Sequence, residues 1–520
     1  MANKSVFQSW FGKNKNVPAA SAVNEAGGVA YSLSPRQALA QMAATGCFNQ
    51  TFYASAAEQL HQVTKLCAKV EAGFIARTAV YARERGAMKD MPAFLCAALS
   101  VRSPELLGKV FDRVIDDGRM LRTFVQIVRS GAAGRKSLGS RPKKLVQGWF
   151  AARSDEQVFR ASVGQSPSLA DVVRLSRPRP ATRSREALYG WLVGRDVPKA
   201  DLPELVREFE AYRAEPSGAV PDVPFQMLTA LQLGVDEWTA IACQASWQTT
   251  RMNLAAFERH GVFKQSGMAY LIAKRLRDPE QIRRAKAFPY QLMAAWSAAH
   301  ELPGIVRDAL QDAMEIALEN VPAVTGRVWV LPDVSGSMSS PVTGNRGGGG
   351  TSSMRCIDVA ALFAAAMLRK NRSAGVLPFA EDVRAAELNP RDTVLTNAAK
   401  LAALGGGGTN CSAPLALLNR KRERGDLVVF ISDNQSWMDN RAGGQGTATL
   451  REWAVFKARN PKAKLVCIDL QPYGTTQAAD RADILNVGGF SDAVFDRVAE
   501  FANTSTGPDG WVRAIEEVQI

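Results

Sequence analysis

Three short stretches in the C-terminal part of the chain carry side chains whose types and spacing suit one hard cation. Asp333-Val334-Ser335-Gly336-Ser337 is a DxSxS motif directly after an apolar run, and its alternation lets a carboxylate and two hydroxyls point to one side of a tight loop. Such a motif alone is also what a turn or a helix cap looks like. Two further elements join it. Gly405-Gly406-Gly407-Gly408-Thr409-Asn410 places a threonine hydroxyl on a loop whose backbone can approach closely, and Ile431-Ser432-Asp433-Asn434 places an aspartate at the end of the strand-like run Leu427–Ser432. Asp333, Ser335, Ser337, Thr409 and Asp433 thus bring oxygen atoms from three loops toward one place.

A second group of residues suits a polyanion. The net charge is +14, and residues 101–200 alone hold 20 Lys+Arg against 9 Asp+Glu, while residues 326–520 are nearly balanced at 22 against 20. A basic excess confined to one region is the footprint expected of a phosphate-bearing partner, with a merely solvated face as the plainer alternative. Within it, Ser140-Arg141-Pro142-Lys143-Lys144 reads as the capped start of a helix ending near Trp149, with three cations in its opening turn. Cations there oppose the helix dipole, and a bound phosphate would reverse that penalty. Arg135 and Lys136 precede this turn, and Arg174, Arg177, Arg179, Arg183 and Arg185 follow it.

The elements that must position these residues differ between the two parts of the chain. Up to about residue 325 helical spacing dominates: Leu60, Val63, Leu66, Cys67 and Val70 share one face, and Ser103-Pro104-Glu105 is an N-cap, first-turn proline and acidic residue before Leu107, Val110, Phe111 and Val114. Further helices are expected at Leu121–Val128, Leu202–Tyr212, Met252–Phe257 and Ile305–Leu318. Loosely similar helical pairs of about 40 residues are how HEAT-type repeats look in sequence. At Val321-Pro322 the pattern changes. Strand-like runs at Val328–Leu331, Gly375–Phe379, Val383–Leu388, Leu427–Ser432 and Leu465–Leu470 alternate with helices at Ile357–Leu368, Thr393–Leu404, Pro414–Arg424, Leu450–Asn460 and Asp492–Phe501, which implies a mostly parallel, doubly wound α/β sheet.

The order and spacing of the three oxygen-bearing loops resemble the metal-ion-dependent adhesion site (MIDAS) of von Willebrand A domains, and the resemblance implies that Asp333, Ser335, Ser337, Thr409 and Asp433 hold one divalent cation of the Mg2+ type. The likeness extends further: Thr409-Asn410-Cys411-Ser412-Ala413-Pro414, Ser432–Trp437 and Asn486–Asp492 resemble the A domain of the Ro (TROVE-domain) family, and Asp171–Pro180 with Glu186–Leu192 resembles the TROVE segment. The glycine-rich insertion Gly344–Thr351 looks like the bacterial branch. The resemblance implies a tail at 1–25, an all-α HEAT-like ring at 26–322 and a von Willebrand A-like domain at 323–520. It implies no enzyme. The expected partners are a Y-like noncoding RNA on the outer basic surface and single-stranded 3′ ends of misfolded RNA in the ring cavity. An exoribonuclease such as polynucleotide phosphorylase is the implied recipient of that RNA, in RNA quality control. Arg135, Lys136, Arg141, Lys143, Lys144, Arg174, Arg177 and Arg179 are the expected RNA-binding residues. Where the family commonly has histidine after the Leu-Ser pair, this chain has Arg177, which suits phosphate rather than a base edge.

Other chemistries find little support. There is no GxxxxGK[ST] phosphate loop, and His61, His260 and His300 lie in helical contexts without HExxH or a nucleophile partner. A metal-dependent nuclease usually needs two ions and several carboxylates, where only Asp333 and Asp433 stand out. The seven cysteines lack any CxxC pair, so neither a disulfide framework nor a zinc site is expected. No apolar run reaches about 18 residues, which points to a cytoplasmic protein without membrane contact. The competing function is a cation-dependent protein-adhesion module with a purely structural helical part.

Overall fold

A computed structural model describes residues 17–45, 48–216, 218–285, 287, 289–321, 323–346, 349–350, 353–437, 446–489, 492–503 and 510–520. Pro322, Cys47, the start of the expected tail, Phe490, Ser491 and part of the glycine-rich insertion lie outside the described residues. The chain groups into two compact units that are not consecutive in sequence: Met1–Leu66 with Leu318–Glu517, and Cys67–Ala317 with Val518–Ile520.

The first unit is built on a five-stranded sheet of β1 (Val328–Pro332), β2 (Gly375–Val376), β3 (Leu427–Ser432), β4 (Lys464–Asp469) and β5 (Ile484–Gly488), in the order β5-β4-β3-β1-β2. All four pairings are parallel, with Leu331 opposite Phe430 and Phe430 opposite Cys467. Every residue of β1, β3 and β5 is buried, as a sheet covered on both faces requires. Leu331, Phe379, Phe430, Trp453, Phe456 and Leu465 form the core of one side, and each large side chain so buried contributes about 1.5–3 kcal/mol. The strand order reverses between β1 and β3, and the crevice outside their carboxyl ends is where a doubly wound sheet offers a ligand site.

Three details differ from the sequence expectation. The run Gly375–Phe379 forms a regular strand only over its first two residues; Leu377 and Phe379 still donate to Val330 and Pro332 on either side of Pro378, which has no N–H to give. The expected edge run Val383–Leu388 is not a strand: Ala380 bonds Asp382 and Arg384 bonds Pro378, so the chain reverses and leaves only a Phe379–Val383 bridge. β5 is not expected from the sequence, because Asn486 and Gly488 dilute its apolar pattern. The N-terminal chain also joins this unit, with Ala22–Val23 and Val29–Ser32 forming a hairpin whose second strand pairs with Thr475–Thr476.

Every regular element of the second unit among its described residues is a helix. Helix 72–84 packs on 90–102 and 104–114, helix 90–102 packs on 104–114 and 118–130, and helices 268–276 and 289–297 pack on 304–317. Contacts so local in sequence are those of a helical-repeat stack. Ser103 caps the helix beginning at Pro104, and Asp117 caps Gly118–Ser130, which ends at Gly131 with φ +86°. Among the described residues, no helix is long and apolar enough to cross a membrane.

Candidate metal centre and basic surface

The three predicted loops come together at the carboxyl ends of β1 and β3. Asp333 follows β1 and continues the ladder by donating its N–H to Ile431, and Val334 donates to Phe379. The glycine loop locks onto this turn from one side: Gly336 N–H donates to Gly407 at 2.9 Å and Gly406 N–H to Val334 at 2.9 Å. A side chain at Gly406 or Gly407 would be strained, since their φ values are +120° and +92°. On its other side the loop receives the third element, as Trp437 N–H and the Ser436 hydroxyl both donate to the Thr409 carbonyl. Arg384 holds the loop through the carbonyls of Leu404 and Gly406, and Glu381 accepts from Gly408 N–H.

The donor atoms are buried. Asp333 and Ser335 are fully enclosed, and Ser337, Thr409 and Asp433 nearly so. Asp333 accepts from Ser335 N–H at 2.8 Å on Oδ1 and from the Ser432 hydroxyl at 2.6 Å on Oδ2, and the Ser335 and Ser337 hydroxyls lie 3.3 Å apart. Burial, and then the neighbouring Asp433 charge, push the Asp333 carboxyl up; burial pushes Asp433 up, against hydrogen bonds from Ser337 and the Gln435 N–H. None of the groups acting on this pair most strongly is a cation. Two carboxylates and three hydroxyls in that condition fit a hard divalent ion, whose charge would relieve both penalties. Ser432 was missed as a contributor, although its place immediately before Asp433 at a strand end was a usable signal.

In the helical unit, helix 140–151 begins after Gly139, which has φ +67° and gives no side-chain cap. Ser140 is thus inside the first turn rather than capping it, and the helix runs two residues past the expected end, to Ala151. Arg141 and Lys143 do occupy that uncapped first turn, and Lys144 follows as the fifth residue of the helix. Gln147 of the same helix donates to the carbonyls of Ser176 and Arg177, which fixes the end of helix 169–176 against it. Lys136, Arg141, Lys144, Arg177 and Arg179 are exposed, and among the described residues their side chains make no hydrogen bond or ion pair. Arg177 has φ +50°, a left-handed position that costs an ordinary residue roughly 1–2 kcal/mol.

Lys143 is half-buried and, among the described residues, its side chain likewise makes no hydrogen bond or ion pair, whereas Arg135, Arg174, Arg183 and Arg185 are engaged. Arg135 donates to the carbonyls of Ser100 and Ser137, and Arg174 to Asp171 and the Val193 carbonyl. Arg183 pairs with Asp201 at 2.9 Å. Arg185 is buried against Asp155, the Phe150 and Arg153 carbonyls and the Tyr189 hydroxyl, so it serves the fold.

Comparison with known proteins follows the same division. The Ro60 vWA domain family model matches residues 327–502. The chain is 26% identical to RNA-binding protein RO60 of Deinococcus radiodurans over 92% of its own length and 94% of that protein. It is 27% identical to RNA-binding protein RO60 of Caenorhabditis elegans over 44% of its length and 36% of that protein. The crystal structure of the Deinococcus radiodurans RO (RSR) protein superposes with a TM-score of 0.62 at 22% identity, over 91% of this chain and all of that one, and shows the shared fold. The α/β unit of this chain is thus matched by the Ro60 vWA domain, and nearly its whole length is similar to a Ro protein.

Proposed function

We propose that this chain is a non-catalytic RNA-binding protein, which takes a Y-like small RNA on its basic surface and 3′ ends of misfolded RNA at a separate place in the helical unit. The observation that carries this reading is a set of unpaired cations, with Arg141, Lys143 and Lys144 around the uncapped start of helix 140–151 and Arg177 and Arg179 just past the end of helix 169–176, which Gln147 ties to it. Amides and side chains there would face a phosphate together. The relatives' name, RNA-binding protein, supports the same partner class. Delivery of bound RNA to an exoribonuclease such as polynucleotide phosphorylase, and a cytoplasmic location, complete the reading.

The α/β unit contributes one Mg2+-type ion in this account, held by Asp333, Ser335, Ser337, Thr409 and Asp433. When bound, the ion supplies positive charge to two buried carboxylates. A cation-dependent adhesion module with an inert helical unit is the rival, and it would leave the cations of residues 141–144 without an anion. The test is RNA content after gentle purification. Nucleic-acid absorbance that disappears with ribonuclease is expected, and nucleic-acid-free protein that also fails to retain added hairpin RNA would reject the proposal.

A further inference from the structure

The helical unit carries a second basic stretch, outside residues 101–200. Residues 247–285 hold eight Lys+Arg against three Asp+Glu. Part of that charge serves the fold: Arg275 donates to the carbonyls of Ala242 and Cys243, each at 2.7 Å, and Arg277 pairs with Asp312 at 2.6 Å. Arg259, Lys264, Lys274 and Arg284 are exposed, and among the described residues their side chains make no hydrogen bond or ion pair. The same stretch displays an aromatic ring. Helix 268–276 buries Met268, Ile272, Ala273 and Leu276, a stripe at helical spacing, and packs on helices 304–317 and 247–259. Tyr270 and Lys274, four apart, are neighbours on the opposite face, with Leu271 next to Lys274. Tyr270 is 65% exposed, the only exposed aromatic ring of the helical unit among the described residues, and it makes no hydrogen bond or ring contact there. Leu271 is 37% exposed.

An aromatic ring left in water among unpaired cations suits a polyanion that carries flat apolar groups of its own. In a duplex the bases stack on one another and phosphates face outward, whereas an unpaired strand also offers base faces for stacking. The basic segment 135–179 has no such platform, because its rings, Trp149, Phe150 and Phe159, are all buried. Resting on the RNA-binding reading above, we propose that the face of helix 268–276 bearing Tyr270, Leu271 and Lys274 is a second RNA site, for unpaired nucleotides. One base stacks on the Tyr270 ring, Leu271 extends the apolar surface, and Lys274 takes an adjoining phosphate. Arg259, Lys264 and Arg284 add attraction for the rest of the strand. The two basic stretches then divide the work by chemistry: cations alone for paired RNA, a ring with cations for unpaired RNA.

The test uses full-length protein and two probes, a single-stranded oligoadenylate and a blunt RNA duplex, in filter binding across a salt series. Wild type should retain both. Tyr270→Ala should weaken oligoadenylate binding about 5- to 100-fold and leave duplex binding as it was. Its salt slope should not change, since the ring neutralises no phosphate. Tyr270→Phe, which keeps the stacking face, should bind oligoadenylate nearly as wild type does. Lys274→Gln should flatten the oligoadenylate slope by roughly 0.7, and it carries the test if Tyr270→Ala fails to fold. Equal oligoadenylate affinity in wild type and Tyr270→Ala, or an unchanged slope in Lys274→Gln, would overturn the second site and leave the RNA-binding reading standing. Wild type that retains the duplex but no oligoadenylate would also overturn it and leave the exposed face to a protein partner. Wild type that retains neither RNA would overturn the RNA-binding reading and this inference with it.

Discussion

The Ser432 hydroxyl donates to Asp333 Oδ2 at 2.6 Å across the seam where β1 and β3 lie side by side. With Ser335 N–H on Oδ1, both oxygens of Asp333 are oriented by the fold itself. Asp333→Ala should abolish Mg2+ binding, and with it the stabilisation that a bound ion gives, about 2.7 kcal/mol at a hundredfold excess over Kd. Calorimetry and thermal unfolding with and without chelator measure this. Equal binding heats in wild type and variant would remove Asp333 from the site.

Arg177 offers a stability test coupled to function. Glycine is the residue that φ +50° favours, so Arg177→Gly should stabilise the helical unit by about 0.5 kcal/mol, after the entropy glycine loses on folding. Affinity for hairpin RNA should fall in the same variant. Denaturant midpoints and binding isotherms give the two readouts, and a variant that binds RNA as wild type does would show that Arg177 does not contact it.

Asp483 predicts a pH dependence in the α/β unit. Burial alone would push its carboxyl up, but Arg481, the Trp453 indole and Lys457 together hold it below the usual carboxylate range. A depressed folded pKa gives stability that is present above the unfolded value of about 3.9 and is lost as pH falls through the folded value. Asp483→Asn should therefore be less stable than wild type at neutral pH, on the order of 1 kcal/mol, and the difference should close in acid. Unfolding followed from neutral to acid pH checks this, and a gap that stays constant would contradict it.

The sequence was most legible where one local rule decided the outcome. Alternation and strand-end position placed Asp333, Ser335, Ser337 and Asp433, and the proline-bearing cap of Ser103 marked a helix start. It was least legible where distant segments meet. Nothing in the local pattern around Asn24, Asn49 or Tyr53 says that they fold onto residues some 300 to 400 positions away. Likewise Arg135 and Arg185 read as surface cations, because only the packed helices reveal the carbonyls that take up their guanidinium groups.

That N-terminal contribution has its own test. Tyr31 is only 4% exposed, lies in the core with Leu331 and Trp453, and its hydroxyl bonds the Pro18 carbonyl and Thr447 N–H. A fragment starting at residue 323 lacks this ring and the strand that pairs with Thr475–Thr476. It should be less stable than the same unit carrying residues 17–66, by about 3–5 kcal/mol for the lost aromatic alone, and so unfold at a lower temperature. Circular dichroism melts of the two would decide, and matching melts would contradict the grouping.

The central claim, that the basic helix start binds RNA through phosphates, is tested most directly by filter binding of a hairpin RNA across a salt series. Each phosphate contact should contribute roughly −0.7 to −0.9 to the slope of log K against log[salt]. The account predicts that Lys143→Glu with Lys144→Glu weakens binding by a large factor and flattens that slope. Unchanged affinity and slope in the double variant would contradict it and put the adhesion module first.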